Sequence, residues 1–384
     1  MEKHRLVFVL PNLSGGGAAR VASILCGEWI KAGHEVHLVT YEELDTASVY
    51  PLDDRIVRHQ IGASVSPRGL LGFAGNNARR VFRLHRVFRC VRPTAIISFL
   101  DEANICTVLA GTTLGVPVLI SERSHPALHL SAPLRMAARK LIYPRASLLC
   151  VQTRDVQNWY ASNLNIKACV IANPAQPAET RGSLGRAPRE RRYALSLGRL
   201  EEEKGFDRLI DAFATIAAEV PDWDIVIHGE GSLRHELEQR IEQYGLQERI
   251  RLPGHTDAPL DALAAADLYL HTAKYDGFPN AILEALAADL CVIATDSPGG
   301  TREILQDGRY GILVSTDDTP ALAEAMHHVM NDEDLRKDYA DKARNAVDIY
   351  APRAIAARWI DEIDRLRAQC QSRAGTIKGR NHNN

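Results

Sequence analysis

Residues 274–284 read Lys274-Tyr275-Asp276-Gly277-Phe278-Pro279-Asn280-Ala281-Ile282-Leu283-Glu284. The run before them, Leu268-Tyr269-Leu270-His271, is short and apolar, as in a buried parallel strand. The run after them, 281–288, has helical composition. Gly277 and Pro279 punctuate a turn between the two, and Asn280 is a good N-cap for the helix. The predicted order is strand, acidic residue, tight turn, helix, and a second acidic residue eight positions after the first. Free backbone N–H groups would lie between Asp276 in the turn and Glu284 about one turn into the helix. Carboxylates accept hydrogen bonds from sugar hydroxyls, while N–H groups and a helix dipole favour a phosphate. The stretch therefore suits a sugar carried on a nucleotide through a pyrophosphate. An ordinary βα turn with two solvated acids fits it as well, so the rest of the chain must decide.

Upstream in the same half, 194–197 reads as a strand leading into Gly198-Arg199-Leu200-Glu201-Glu202-Glu203-Lys204-Gly205, with a helix following to about residue 217. Two cations five positions apart in a strand-to-helix loop can converge on one diphosphate, Arg199 through its fork and Lys204 as a point charge. Pairing with the neighbouring Glu run is the alternative. A strand at 224–228 leads into Gly229-Glu230-Gly231-Ser232, with strands at 249–253 and 291–295 beyond, the latter followed by Pro298-Gly299-Gly300-Thr301. Helices are expected from 319 to about 369, then a polar, disordered tail.

The first half repeats the alternation. A strand at 6–10 runs into Asn12-Leu13-Ser14-Gly15-Gly16-Gly17, then a helix to Lys31 that Gly33 ends. A glycine turn before a helix can cradle a phosphate. A dinucleotide fingerprint fits poorly, because Arg20 occupies the third small position. Strands at 36–40, 95–99, 116–120 and 147–151 alternate with helices near 102–114, 133–143 and 153–161. Such alternation implies α/β architecture with doubly wound parallel sheets, whose ligands collect beyond the carboxyl ends of the strands. Asp101, Glu102 and Ser121-Glu122-Arg123-Ser124-His125 occupy such positions. Between 77 and 92, Arg79, Arg80, Arg83, Arg86, Arg89 and Arg92 recur at helical spacing among Val81, Phe82, Leu84, Val87 and Phe88. Such a helix can lie on an anionic membrane or clasp a lipid pyrophosphate; it can also be a solvated basic face. No nucleic-acid-binding motif accompanies it.

The 384 residues allow two domains with separate cores. Residues 1–180 hold 20 Lys and Arg against 13 Asp and Glu (+7) and the remainder 26 against 35 (−9), consistent with the overall −2. The two halves are thus expected to face different partners. No apolar run approaches the ~18 residues needed to span a bilayer, and the start of the chain lacks a signal-peptide pattern. Seven dispersed cysteines argue for reduced thiols and a cytoplasmic location. The expected domains are 1–173 and 193–369, joined by a Pro- and Arg-rich linker at 174–192, with a tail at 370–384 and the last helices packing back on the first domain.

Five stretches in order, NLSGGGAARV (12–21), LGRLEEEKGFDRLI (197–210), HGEGSLR (228–234), DGFPNAILEAL (276–286) and SPGGTREI (297–304), resemble the family 4 retaining glycosyltransferases of GT-B fold over nearly the whole chain. In detail they look most like bacterial members that extend polysaccharides or lipid-linked oligosaccharides. The resemblance implies two Rossmann-like domains facing across a cleft, with the first presenting the acceptor and the second holding a nucleotide-diphosphate sugar, expected to be UDP-linked. It implies that Arg199 and Lys204 hold the donor diphosphate and Glu284 the ribose hydroxyls. Asp276 would bind the transferred hexose or N-acetylhexosamine, and Gly229, Glu230, Gly277, Phe278, Pro279 and Asn280 would line the donor site. Gly16 and Gly17 would meet the donor phosphate from the first domain, with His125, or Arg123 in its place, as the cleft residue. Transfer would retain configuration and form an α-glycosidic bond without metal or other cofactor. Arg79, Arg80, Arg83 and Arg86 would face a polyprenyl-diphosphate acceptor and the anionic inner surface of the cytoplasmic membrane.

This chain departs from the family pattern twice: Asp276 stands where the family has Glu, and Ala19 where it has Glu. The alternatives are a non-catalytic nucleotide-sugar-binding partner protein and a nucleotide-sugar 2-epimerase of related fold.

Overall fold

The computed structural model describes residues 2–63, 69–124, 126, 133–175 and 191–380. The chain forms two compact units, one of residues 1–174 with 352–384 and one of 175–351.

In the first unit, β1 (Arg5–Leu10), β2 (Glu35–Thr40), β3 (Val57–Gln60), β4 (Ala95–Phe99), β5 (Val118–Ser121), β6 (Leu148–Val151) and β7 (Ala168–Val170) form a parallel sheet in the order 3-2-1-4-5-6-7. The crossovers are α1 (Gly17–Lys31), α2 (Gly69–Val91), α3 (Asp101–Gly111), α4 (Pro133–Ile142) and α5 (Arg154–Leu164). Central strands such as β4 are buried along their full length, which is why they read as unbroken apolar runs. Gly33 closes α1 with φ +86°, and His34 N–H donates to Trp29 O at 3.0 Å, as in a Schellman ending. The edge strands β3 and β7 were not expected. Each is half exposed, so neither carries a strong apolar signal.

The second unit contains β8 (Arg192–Leu197), β9 (Trp223–His228), β10 (Ile250–Gly254), β11 (Leu268–His271), β12 (Val292–Thr295) and β13 (Ile312–Val314), parallel in the order 10-9-8-11-12-13. Its helices are α6 (Phe206–Ile216), α7 (Arg234–Gln243), α8 (Pro259–Ala265), α9 (Asn280–Ala287), α10 (Thr301–Ile304), α11 (Thr319–Asn331) and α12 (Glu333–Ile349). Phe213, Trp223, Ile227 and Met326 lie in one apolar core, and the Trp223 indole N–H donates to Met330 O at 3.0 Å. The two ends of this unit meet: Ala175 N–H donates to Tyr350 O at 2.8 Å.

The final helix, α13 (Pro352–Arg380), belongs to the first unit, so the second domain stops at 351 and not 369. Trp359 of α13 is buried 5.8 Å from the Phe99 ring, and the Trp29 indole donates to Ala356 O at 3.1 Å. The helix continues through Arg380, which corrects the expectation of disorder from 370; once nucleated by its buried first turns, a polar sequence can propagate. Most of the expected linker (176–190) and the last four residues lie outside the described residues. Among the described residues, no helix is long and apolar enough to cross a membrane.

Candidate functional site

In the second unit the strand order reverses between β8 and β11, and the two strands are neighbours. Connections leaving their carboxyl ends must diverge to opposite faces, which opens a crevice there. The loop after β8 carries Arg199 and Lys204; the loop after β11 carries Asp276. Main-chain and side-chain bonds tie the loops together. Lys274 N–H donates to Glu203 O at 2.8 Å, and the Thr272 hydroxyl donates to Lys204 O at 3.0 Å. Gly205, with φ +63°, permits the close approach, since a Cβ there would lie 2.3 Å from Thr272 O.

Across this junction Lys204 Nζ meets Asp276 Oδ2 at 2.6 Å, both side chains being about one-fifth exposed at 19%. The ion pair leaves each group reachable by a ligand while neutralising both in its absence. Behind it stands His271, the last residue of β11, 4% exposed and with Nε2 3.8 Å from the same Asp276 oxygen. Burial pushes the imidazole pKa down to about 4, against the upward pull of Asp276 and with a further push from Lys204. Sequence reading did not single out His271, because one His at the end of an apolar strand carries no pattern.

The main chain of Asp276 is fixed from a third side by the turn after β12. Asp276 N–H donates to Pro298 O at 3.3 Å, and Asp276 pairs with Gly299 in an isolated parallel bridge. Gly299 has φ +120°, and a Cβ on it would fall 1.8 Å from Asp276 O. Phe278 is buried with its ring 6.5 Å from that of Tyr350, so its side chain anchors the turn. Asn280 is the first helical residue and not the cap: Pro279 holds the cap position without a side-chain bond. Proline suits that position because the fixed φ matches and no amide hydrogen is needed. Glu284 is buried on α9 at 4% exposure.

Other expected donor residues divide. The Arg199 guanidinium is 72% exposed and bonded to Glu203 at 2.6 Å, so the structure does not bring it onto the Lys204–Asp276 pair. Glu230 accepts from Arg234 at both oxygens, at 2.7 and 2.8 Å, which holds its carboxyl below the usual range. Gly229 lies against the loop after β8: its Cβ would meet Gly198 O at 1.7 Å.

In the first unit, Gly15 (φ +136°) and Gly16 (φ +85°) form the turn into Gly17, the first residue of α1, and the Asn12 side chain accepts from the Ser14 N–H and hydroxyl. Arg123, after β5, lies over the Phe99 ring at 4.1 Å and donates to Asn173, with burial lowering its pKa to about 9. Its rival His125 lies outside the described residues.

The arginine helix does not present one continuous basic stripe. Arg80 is buried, bonded to Glu102 and to Ala63 O, and lies over the Tyr41 ring. Arg83 donates to the carbonyls of Ile61 and Gly62. Both are diverted to backbone carbonyls of 61–63, a need invisible in helical periodicity. Leu84 and Phe88 pack into the core, while Phe82, 69% exposed, stands among exposed Arg79, Arg86 and Arg89.

Two parallel α/β units, the second with a cation–carboxylate pair at its topological switch point, are the architecture of the GT-B class. Residues 16–174 match the glycosyl transferase 4-like domain and residues 183–346 the glycosyl transferases group 1. The chain belongs to the family 4 glycosyltransferases. It is 24% identical over 361 residues, 93% of this chain and 97% of the relative, to a Campylobacter jejuni α-1,4-N-acetyl-D-galactosaminyltransferase named for a PP-undecaprenol-linked GalNAc substrate. Among solved structures, sucrose-phosphate synthase from Thermosynechococcus elongatus aligns with TM-score 0.80 at 17% identity, covering 96% of this chain and 100% of that one. Anabaena HepE in complex with UDP aligns with TM-score 0.75 at 19% identity, covering 94% and 99%.

Proposed function

We propose that the protein transfers a hexose or N-acetylhexosamine from a UDP-sugar to a lipid-linked glycan with retention of configuration, forming an α-glycosidic bond. The observation that carries this reading is the Lys204–Asp276 pair at the switch point of the second unit. On this reading the donor diphosphate draws Lys204, whose charge offsets the negative charge growing on the departing phosphate. Asp276, released, accepts from hydroxyls of the sugar, and Glu284 from those of the ribose. Arg199, free at its exposed end, would turn from Glu203 to the same diphosphate, so that two cations serve where other transferases use a metal. The named substrate of the Campylobacter relative supports the lipid-linked acceptor and the α-bond, and the UDP complex of HepE supports the nucleotide.

The test is a panel of nucleotide sugars with a polyprenyl-diphosphate glycan, with and without EDTA, read by nucleoside-diphosphate release and by NMR of the product anomer. A new α-linkage from an α-linked donor, in EDTA, is the expected result. Nucleotide binding without product would leave a partner protein, and C2 inversion of the donor sugar without acceptor would leave an epimerase. Glu284→Gln should weaken donor binding about tenfold, because an amide offers one acceptor oxygen where a carboxylate offers two. Asp276→Glu should be tolerated or shift donor preference. Unchanged donor affinity in Glu284→Gln by calorimetry would remove the ribose role.

The acceptor is proposed to reach the first unit at a membrane surface, through Phe82 and the arginines around it. Each basic residue near an anionic surface contributes about 1 kcal/mol, so reversing Arg79, Arg86 and Arg89 to Glu should weaken vesicle binding at least about 100-fold. Activity on a short water-soluble acceptor should persist. Wild-type protein that ignores anionic vesicles at low salt would end this part of the reading.

A further inference from the structure

His271 is a buried imidazole aimed at the reacting end of the site. Its Nε2 is buried without a hydrogen-bond partner, and Asp276 Oδ2 stands 3.8 Å away, beyond hydrogen-bond reach. That oxygen is instead taken by Lys204 at 2.6 Å. The main chain that carries the ring is held in place, because β11 pairs His271 with Ala294 of β12 and the Thr295 hydroxyl donates to the His271 carbonyl at 3.3 Å. An unmade buried hydrogen bond is costly unless another state of the molecule makes it.

We propose that His271 is a positioning residue for Asp276, a neutral imidazole whose Nε2–H takes over the carboxylate when an anionic ligand draws Lys204 away. The inference rests on the reading that Lys204 answers a diphosphate and Asp276 a sugar. A carboxylate that lost the Lys204 ammonium would swing freely; a second donor behind it keeps one oxygen fixed and leaves the other for the substrate. The shorter side chain of Asp fits this role, since it holds the carboxylate nearer the strand end than Glu would. The ionisable groups acting on the ring are Lys204 from the loop after β8 and Asp276 from the loop after β11; Tyr269, two positions earlier on β11, has a buried hydroxyl raised in pKa by burial and by Asp276. Removing Lys204 deletes the push on His271 and leaves the pull of Asp276, so the imidazole pKa must rise when Lys204 departs.

The experiment uses the full chain with 15N-labelled histidine, the His271 signals being assigned by their loss in His271→Gln. Lys204→Ala without ligand should raise the His271 pKa by about one unit and shift its Nε2 resonance. Saturating UDP, or GDP should UDP not bind, should do the same to the wild type. An unchanged His271 in Lys204→Ala overturns the inference whatever the ligand does. A response to Lys204→Ala but none to bound nucleotide overturns the exchange together with the diphosphate role of Lys204. In kinetics, His271→Leu should lower kcat about 10-fold with little change in donor KM, and His271→Gln, which keeps an N–H, should restore most of it. Equal losses in the two variants would mean that the ring only fills space.

Discussion

Lys204→Ala should lower kcat/KM by about 10²–10³ while leaving the protein folded. Among the described residues its ammonium is the one Lys or Arg cation in contact with Asp276, at 2.6 Å, while Arg199 is exposed and bonded to Glu203. The fold should survive because Lys204 supports it through the main chain: its carbonyl accepts from the Thr272 hydroxyl, and truncation leaves that bond intact. Lys204→Arg should not rescue fully, because a planar fork cannot occupy the place of a compact ammonium against Asp276. Steady-state kinetics with the best donor, beside a thermal melt, decide the matter. A variant within a factor of three of wild type would show that the diphosphate is held elsewhere.

Gly299→Ala should be more damaging still, to fold and activity together. The methyl would fall 1.8 Å from the Asp276 carbonyl oxygen on a backbone with φ +120°, and the three atoms it meets, Asp276 O and C and Gly277 O, are all main chain, so none can yield by a rotamer change. We expect a loss of more than about 3 kcal/mol and no detectable transfer. Gly245→Ala is the control: it also has positive φ, +66°, but a Cβ there meets nothing within 4 Å, so it should cost only about 1 kcal/mol. Equal melting temperatures for the two variants would show that the turn after β12 does not hold Asp276 in place.

The fold was legible where burial is two-sided. β1, β4 and β11 are largely apolar because both faces are covered, and β1, β8 and β11 are followed by turn residues that mark where a ligand loop begins. The pairing of Lys204 with Asp276, 72 residues apart, was legible only as two separate motifs of one family; no local rule joins them. Three of the four edge strands, β3, β7 and β13, escaped notice; β13, for one, is three residues with one fully buried position. Arg80 and Arg83 were misread for a physical reason. Arginine at helical spacing looks the same whether it points to solvent or reaches a loop carbonyl, and only the path of residues 61–63 distinguishes them. Asn280 was displaced from its cap by Pro279, which ends the turn one residue earlier in conformation than in composition. His271 became visible only when Asp276 was seen beside it.

The bond between Ala175 N–H and Tyr350 O makes the second unit a cassette with its two ends side by side, inserted in the sequence between the two pieces of the first. A contiguous piece, 175–351, carries one complete sheet and core, whereas the first unit needs two separated pieces of chain to cover Trp29 and Phe99. Cut at the same two points, the molecule should therefore behave asymmetrically. The cassette should fold when expressed by itself and be measurable as a nucleotide binder. Residues 1–174 alone should aggregate through the apolar ground left bare by the missing helix. The same geometry makes the chain suited to transplantation: on the proposed reading, another member's cassette, joined at two adjacent backbone positions, would bring a new donor preference while leaving the acceptor as it was.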